Sequence, residues 1–162
     1  MCEPFKIADG DNYAKLWLHE CSRVFGDRLC TKEDMDQFQM IACDILQIKF
    51  KVKQSKQEEV FAPGKEIIFS KILSLDAETP YYELIDSKEK LLMSLHEKLN
   101  NYNLSKANKM DLVFFSDAVR HVCSIMRILM QPRGNAMLIG VSGSGKQSLT
   151  HLAAFILEQT SF

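Results

Sequence analysis

Between Asp11 and Leu29, the residues Tyr13, Trp17, Cys21, Val24, Phe25 and Leu29 recur at three- and four-residue intervals, which predicts an amphipathic helix with Asp9 or Asp11 as its N-cap. Thr31-Lys-Glu-Asp34 resembles a capping box with Asp in place of Glu or Gln, and Phe38, Ile41, Ala42, Ile45 and Ile48 continue on one face. A second helix is expected there, forming an antiparallel pair with the first across a short link. The pattern then weakens. Ala62-Pro-Gly-Lys65 reads as a turn, and Ile67–Leu73 fits a short helix or a strand equally well. Asp86-Ser-Lys-Glu89 can cap a third helix, whose Leu91, Leu92, Leu95 and Leu99 form a stripe ending at the polar Asn100-Asn101-Tyr102-Asn103. A fourth helix is predicted after Asp111 as far as Met130, with Phe115, Ala118, Val119, Val122, Ile125, Met126 and Leu129 as its apolar face. Gln131-Pro-Arg-Gly-Asn135 stops it.

The apolar run Ala136–Gly140 reads as a short buried strand and Leu149–Leu157 as a helix; between them lies Gly140-Val141-Ser142-Gly143-Ser144-Gly145-Lys146-Gln147-Ser148. Strand, Gly-rich turn, Lys and helix is the order that a phosphate-binding loop requires. Glycines let successive N–H groups point inward as an anion-sized nest, and the helix adds its positive end. Lys146 can reach the β- and γ-phosphates as a point charge. Against G-x-x-x-x-G-K-[ST], Gly140, Gly145 and Lys146 match, but Gln147 stands where a Mg²⁺-coordinating hydroxyl belongs. Ser148 comes one residue late, about 100° further round the helix. The phosphate site is thus better specified than the metal site, and a plain strand-to-helix turn with a solvated Lys is the competing structural reading.

Composition changes this picture little. The 162 residues are 46% apolar and 25% charged, with room for one domain or parts of two. A net charge of −1 gives no global basic field for nucleic acid or anionic membrane. Lys49, Lys51, Lys53 and Lys56 are answered at once by Glu58 and Glu59 with no interleaved aromatics, which favours a solvated helix end or linker. No apolar run approaches 18 residues, so no transmembrane helix is expected, and Met1–Lys6 lacks a secretory core, so an intracellular chain is expected. Cys2, Cys21, Cys30, Cys43 and Cys123 form no C-x-x-C pair and are expected as free core thiols. His19-Glu20 begins like H-E-x-x-H, but Arg23 occupies the second His position and the metal reading fails. His121 beside Val122 reads as a packed or solvated helix residue.

Leu16-Trp-Leu-His-Glu-Cys-Ser-Arg-Val-Phe-Gly-Asp-Arg-Leu29 resembles the helix motif in the small lid of the third AAA+ module of dynein heavy chains. Leu112-Val-Phe-Phe-Ser-Asp-Ala118, then His121, Arg127 and Arg133 through Leu149, resembles the opening of the fourth module, and Gly-Lys-Gln-Ser followed by Leu-Ala-Ala-Phe is similar to the axonemal branch. The likeness is loose over residues 50–85 and close elsewhere. It implies a mostly α fold with one α/β element: a helical lid-like segment over 1–56, a connecting segment with one helix over 57–110, and the helix, strand, P-loop and helix of a truncated P-loop NTPase domain over 111–162. It implies ATP or ADP at the loop, with Gly140, Gly143, Gly145, Lys146 and Ser148 as phosphate contacts, Gln147 as a family trait, and the Mg²⁺ ligand left open.

The parent so implied is an ATP-driven, minus-end-directed microtubule motor of the cytoskeleton in cilia and flagella. Its partners would be other dynein modules, axonemal dynein subunits and, through the parent alone, microtubules. Arg23 and Arg28 could face nucleotide or a neighbouring module, or form surface salt bridges. After Lys146 only 16 residues remain, about 24 Å of helix. Walker B, sensor and arginine-finger elements are therefore expected to lie outside, and rapid ATP hydrolysis by this chain alone is not expected. The strand Ala136–Gly140 would also want partners, so the lid-like helices are expected to fold better than the C-terminal segment. Two alternatives remain. One is a dynein-derived structural or interaction protein that binds no nucleotide alone, and the other is an unrelated small P-loop kinase or GTPase.

Overall fold

The computed structural model describes residues 10–52, 67–78 and 80–158, and the chain divides into two compact units. Cys2, Lys53, Lys56, Glu58, Glu59, the turn at 62–65 and the side chains of the cap candidates Asp9 and Asp11 lie outside the described residues.

The first unit holds the described residues up to Phe69 together with Tyr81–Leu84. Helix α1 spans Gly10–Val24 and ends in a 3₁₀ turn, Gly26–Arg28, where the Leu29 N–H donates to the Gly26 carbonyl at 3.0 Å. Helix α2 spans Lys32–Phe50. Its cap is the one expected: the Thr31 Oγ1 accepts from the Asp34 N–H at 3.2 Å, and Glu33 and Asp34 oppose the helix dipole in the first turn. At the other end Lys51 takes a left-handed conformation, φ 55°, and closes the helix.

The packing faces differ from the predicted ones. Ala14 and Leu18 of α1 meet Ala42 and Leu46 of α2, with Trp17, Phe50, Val52 and Ile67 packed around them. Tyr13, Val24, Phe25, Ile41 and Ile48 are exposed. Two alanines in the contact let the backbones approach, so the packed stripe lies one position round from the stripe of larger residues. Trp17 and Tyr13 instead set their rings against Phe50, with centroids 5.3 and 5.7 Å apart. The ambiguous segment Ile67–Leu73 resolves into strand β1, Phe69–Ser70, followed by turns; β1 pairs with β2, Glu83–Leu84, in a two-stranded sheet.

The second unit comprises Ser70–Pro80 and the described residues from Ile85 onward. Helix α3, Lys88–Ser105, is capped by Ser87, whose Oγ accepts from the Lys90 N–H at 3.2 Å. It runs straight through Asn100–Asn103 rather than stopping there. Tyr102 extends the Leu91, Leu95 and Leu99 stripe and stacks edge-on against Phe155 at 5.2 Å, so burial outweighs the weak helix propensity of the asparagines. Asn103 then clasps the chain that returns: its Nδ2 donates to the Met110 carbonyl at 2.8 Å and its Oδ1 accepts from the Met110 N–H at 2.7 Å.

Helix α4 spans Ser116–Leu129, starting later than predicted: residues 111–115 carry no regular secondary structure, and the N-cap Phe115 is extended. Ala118, Val119, Val122, Cys123, Ile125 and Met126 are buried on it; Phe115 is exposed. Helix α5, Lys146–Ile156, buries Leu149, Leu152, Ala153, Ala154 and Ile156 and packs against α3 and α4.

One element of the expected fold is absent as such. Residues 135–141 carry no regular secondary structure, and Met137 and Ile139 are 84% and 85% exposed. A strand is stabilised by ladder hydrogen bonds to a neighbour and by faces that cover it, and among the described residues neither is provided to this segment. The expected buried strand of the α/β element is therefore corrected to an exposed segment outside any strand. The C-terminal segment splits in consequence: residues 135–141 are exposed, while α5 is as well buried as any helix of the unit. Among the described residues, no helix is long and apolar enough to cross a membrane.

Candidate functional site

The turn after α4 aims the chain at the loop. Gln131 N–H donates to the Ile128 carbonyl at 3.0 Å and Gly134 N–H to the Gln131 carbonyl at 2.9 Å. Arg133 adopts a left-handed φ of 59°. A Cβ at position 134 would overlap the Ile128 carbonyl oxygen, so this close approach requires glycine.

From Gly140 the chain makes a tight turn and enters α5. Gly143 and Gly145 have φ of +79° and +77°, the left-handed region that glycine adopts without strain, and the space a Cβ would take is open at both. Gly145 is the N-cap residue of α5, with no side-chain cap and no acidic residue in the first turn. The helical ladder opens with Leu149 N–H donating to the Gly145 carbonyl at 2.9 Å, so the N–H groups of Lys146, Gln147 and Ser148 precede it. The helix dipole adds positive character at that end.

Lys146 folds back over the turn. Its Nζ donates to the Gly140 carbonyl at 2.7 Å, the Val141 carbonyl at 2.6 Å and the Ser144 Oγ at 3.0 Å. The Ser144 N–H donates to the Val141 carbonyl at 3.4 Å. Gln147 is exposed and Ser148 half-buried. The structure thus brings Gly140 through Lys146 together around one ammonium, with Gln147 and Ser148 following on the first turn of the helix.

The other sequence candidates fall elsewhere. Arg23 pairs with Asp27 at 3.2 Å across one helical turn, the salt-bridge option, and Arg28 is exposed. His121 is exposed on α4. No group of three or more His, Cys, Asp or Glu able to hold a metal occurs among the described residues. The thiols depart from the expectation of core residues: Cys123 is buried, Cys21 and Cys43 are half-buried, and Cys30 is exposed. Burial raises the Cys21 thiol above its ordinary value, assisted by Glu20; burial does the same for Cys43, assisted by Asp44.

Sequence reasoning passed over one polar cluster. His19 is buried, with Nδ1 2.8 Å from the Ile67 carbonyl and Nε2 3.1 Å from the Tyr82 hydroxyl, which donates to Glu20 Oε1 at 3.3 Å. The Ile67 carbonyl can only accept, so Nδ1 carries a hydrogen. Phe69 covers the ring at 5.5 Å. The residues lie 48 to 63 positions apart, and no local pattern reports such a pairing.

Residues 110–162 match the protein family described as the P-loop containing dynein motor region D4. Dynein axonemal heavy chain 1 of Homo sapiens is 36% identical over 162 residues, all of this chain and 4% of that protein. Dynein axonemal heavy chain 9 of Homo sapiens is 43% identical over 148 residues, 91% of this chain and 3% of the relative. The dynein alpha chain of the flagellar outer arm of Chlamydomonas reinhardtii is 41% identical over 156 residues, 96% of this chain and 3% of the relative. The chain thus spans only a few per cent of the length of these relatives, yet nearly all of it aligns with each. By this homology the chain belongs to the dynein heavy chain family, on its axonemal side.

Proposed function

We propose that this chain is a nucleotide-binding stretch of an axonemal dynein heavy chain, with the phosphates of ATP or ADP held at Gly140–Ser148. In this reading residues 1–56 are the lid-like end of the third AAA+ module, 57–110 connect, and 111–162 open the fourth. The parent is an ATP-driven, minus-end-directed microtubule motor of the ciliary and flagellar axoneme, working with other dynein modules and axonemal subunits. The observation that carries the reading is the loop itself. Two glycines in left-handed conformation, an N-cap without a side chain, an acid-free first turn and an inward ammonium all suit an anion.

The N–H groups of residues 142–147 would cradle the phosphates and Lys146 would offset their charge. For Mg²⁺ the donor set is weaker, because Gln147 offers only an amide oxygen and the Ser148 hydroxyl lies one position later.

Titration of the purified chain with a fluorescent ATP analogue, with and without Mg²⁺, tests this on the wild type and Lys146→Ala. Saturable binding weakened about 10- to 100-fold by the substitution is expected, the size of a lost charge-assisted contact. Equal binding by both proteins would remove Lys146 from the site. No binding by folded protein would favour the alternative, a non-catalytic interaction piece of dynein.

A further inference from the structure

An ammonium has three N–H donors, and on Lys146 each has an acceptor within the loop. Two acceptors, the Gly140 and Val141 carbonyls, belong to the backbone and move only with it. The third is the Ser144 hydroxyl, the longest of the three contacts at 3.0 Å and the one that can leave by a single χ1 rotation. Ser144 lies close over the start of the turn. Its N–H is turned onto the Val141 carbonyl, and its Oγ lies so near Gly140 that a Cβ there would stand only 3.2 Å away. An incoming phosphate oxygen that is to be met by Lys146 must take over one of the three donors, and Ser144 is the acceptor that yields at least cost.

We propose that Ser144 is a positioning residue that latches the Lys146 ammonium onto the loop, so that anion binding at Gly140–Ser148 proceeds by exchange of the Ser144 hydroxyl for a phosphate oxygen. The proposal rests on the phosphate-binding reading above and adds a regulated element to it.

The test uses the full chain as wild type, Ser144→Ala, Ser144→Thr, Lys146→Met and the Ser144→Ala/Lys146→Met double variant, with inorganic pyrophosphate as the probe in calorimetry. Brief acetic anhydride labelling, read by mass spectrometry at Lys146 against the exposed Lys106, is the second readout. Removing the hydroxyl leaves one ammonium donor free, so Ser144→Ala should tighten pyrophosphate about three- to fivefold, the low end for an exposed bond to a charge. It should also raise Lys146 labelling severalfold. Ser144→Thr should restore wild-type values, and without Lys146 the Ser144→Ala change should have no effect on affinity. A purely structural role for Ser144 would move affinity equally in both backgrounds, and that result overturns the latch. Unchanged Lys146 labelling in Ser144→Ala overturns it too. If labelling rises while no variant binds pyrophosphate, the latch stands and the phosphate-binding reading is the one that fails.

Discussion

Ile139→Lys separates the fold that local patterning suggests from the one observed. In a buried strand, this change would lose the roughly 1.5–3 kcal/mol of a fully buried aliphatic side chain and add the several kcal/mol cost of an unpaired interior charge. Ile139 is instead 85% exposed, so only about 15% of its burial term is at stake, ~0.2–0.5 kcal/mol. Leu152 is the comparator. It is fully buried on α5, and Leu152→Ala should cost about 2–5 kcal/mol from lost transfer energy and the cavity left behind. Urea unfolding followed by far-ultraviolet circular dichroism, with both variants measured beside the wild type, reads the difference as a shift in midpoint at constant slope. The expected order is Ile139→Lys near wild type and Leu152→Ala far below it. A loss above about 2 kcal/mol for Ile139→Lys would show that residues 136–140 are covered in solution, and would refute the exposure assigned to them. The same substitution should reduce concentration-dependent association, because a charge on an unpaired apolar strand blocks edge-to-edge pairing.

Two further outcomes follow from local geometry. Gly134→Ala should destabilise the chain by about 1–3 kcal/mol in the same assay, since the Ile128 carbonyl must move to admit a methyl group. Peptide-resolved maleimide labelling at pH 8 should modify Cys30 first, Cys21 and Cys43 more slowly, and Cys123 last. For Cys21 and Cys43 the folded value is raised, so their contribution is complete below the ordinary thiol value and is lost as pH rises through the raised one. Stability should therefore decline into the alkaline range, and equal labelling rates at Cys21 and Cys30 would contradict the burial assigned to Cys21.

The positions of the helices were legible because amphipathic periodicity and caps are local. Thr31 caps α2 as its spacing predicts, Ser87 caps α3 within the predicted stretch Asp86–Glu89, and the breaker Gln131–Asn135 ends α4. The packed faces of α1 and α2 were less so. Each helix carries neighbouring apolar stripes, and the one that packs is chosen by steric fit, with Ala14 and Ala42 admitting the close approach that Tyr13 and Ile41 do not. The end of α3 differs from the local pattern for a related reason, since Tyr102 packs against Phe155, 53 positions away along the chain.

The backbone turn from Gly140 to Lys146 is the part that the sequence by itself determined. Gly143, Gly145 and Lys146 act over two to six positions, where chain connectivity already keeps the partners close and glycine alone relieves the left-handed backbone. Tertiary structure decided the fate of Ala136–Gly140, apolar enough for a strand but lacking a neighbour to complete its hydrogen bonds. It also joined His19 to Tyr82 across 63 positions. Both depend on groups distant along the chain, and the entropy of bringing such groups together is offset only by the packing of the whole unit, which no local pattern encodes.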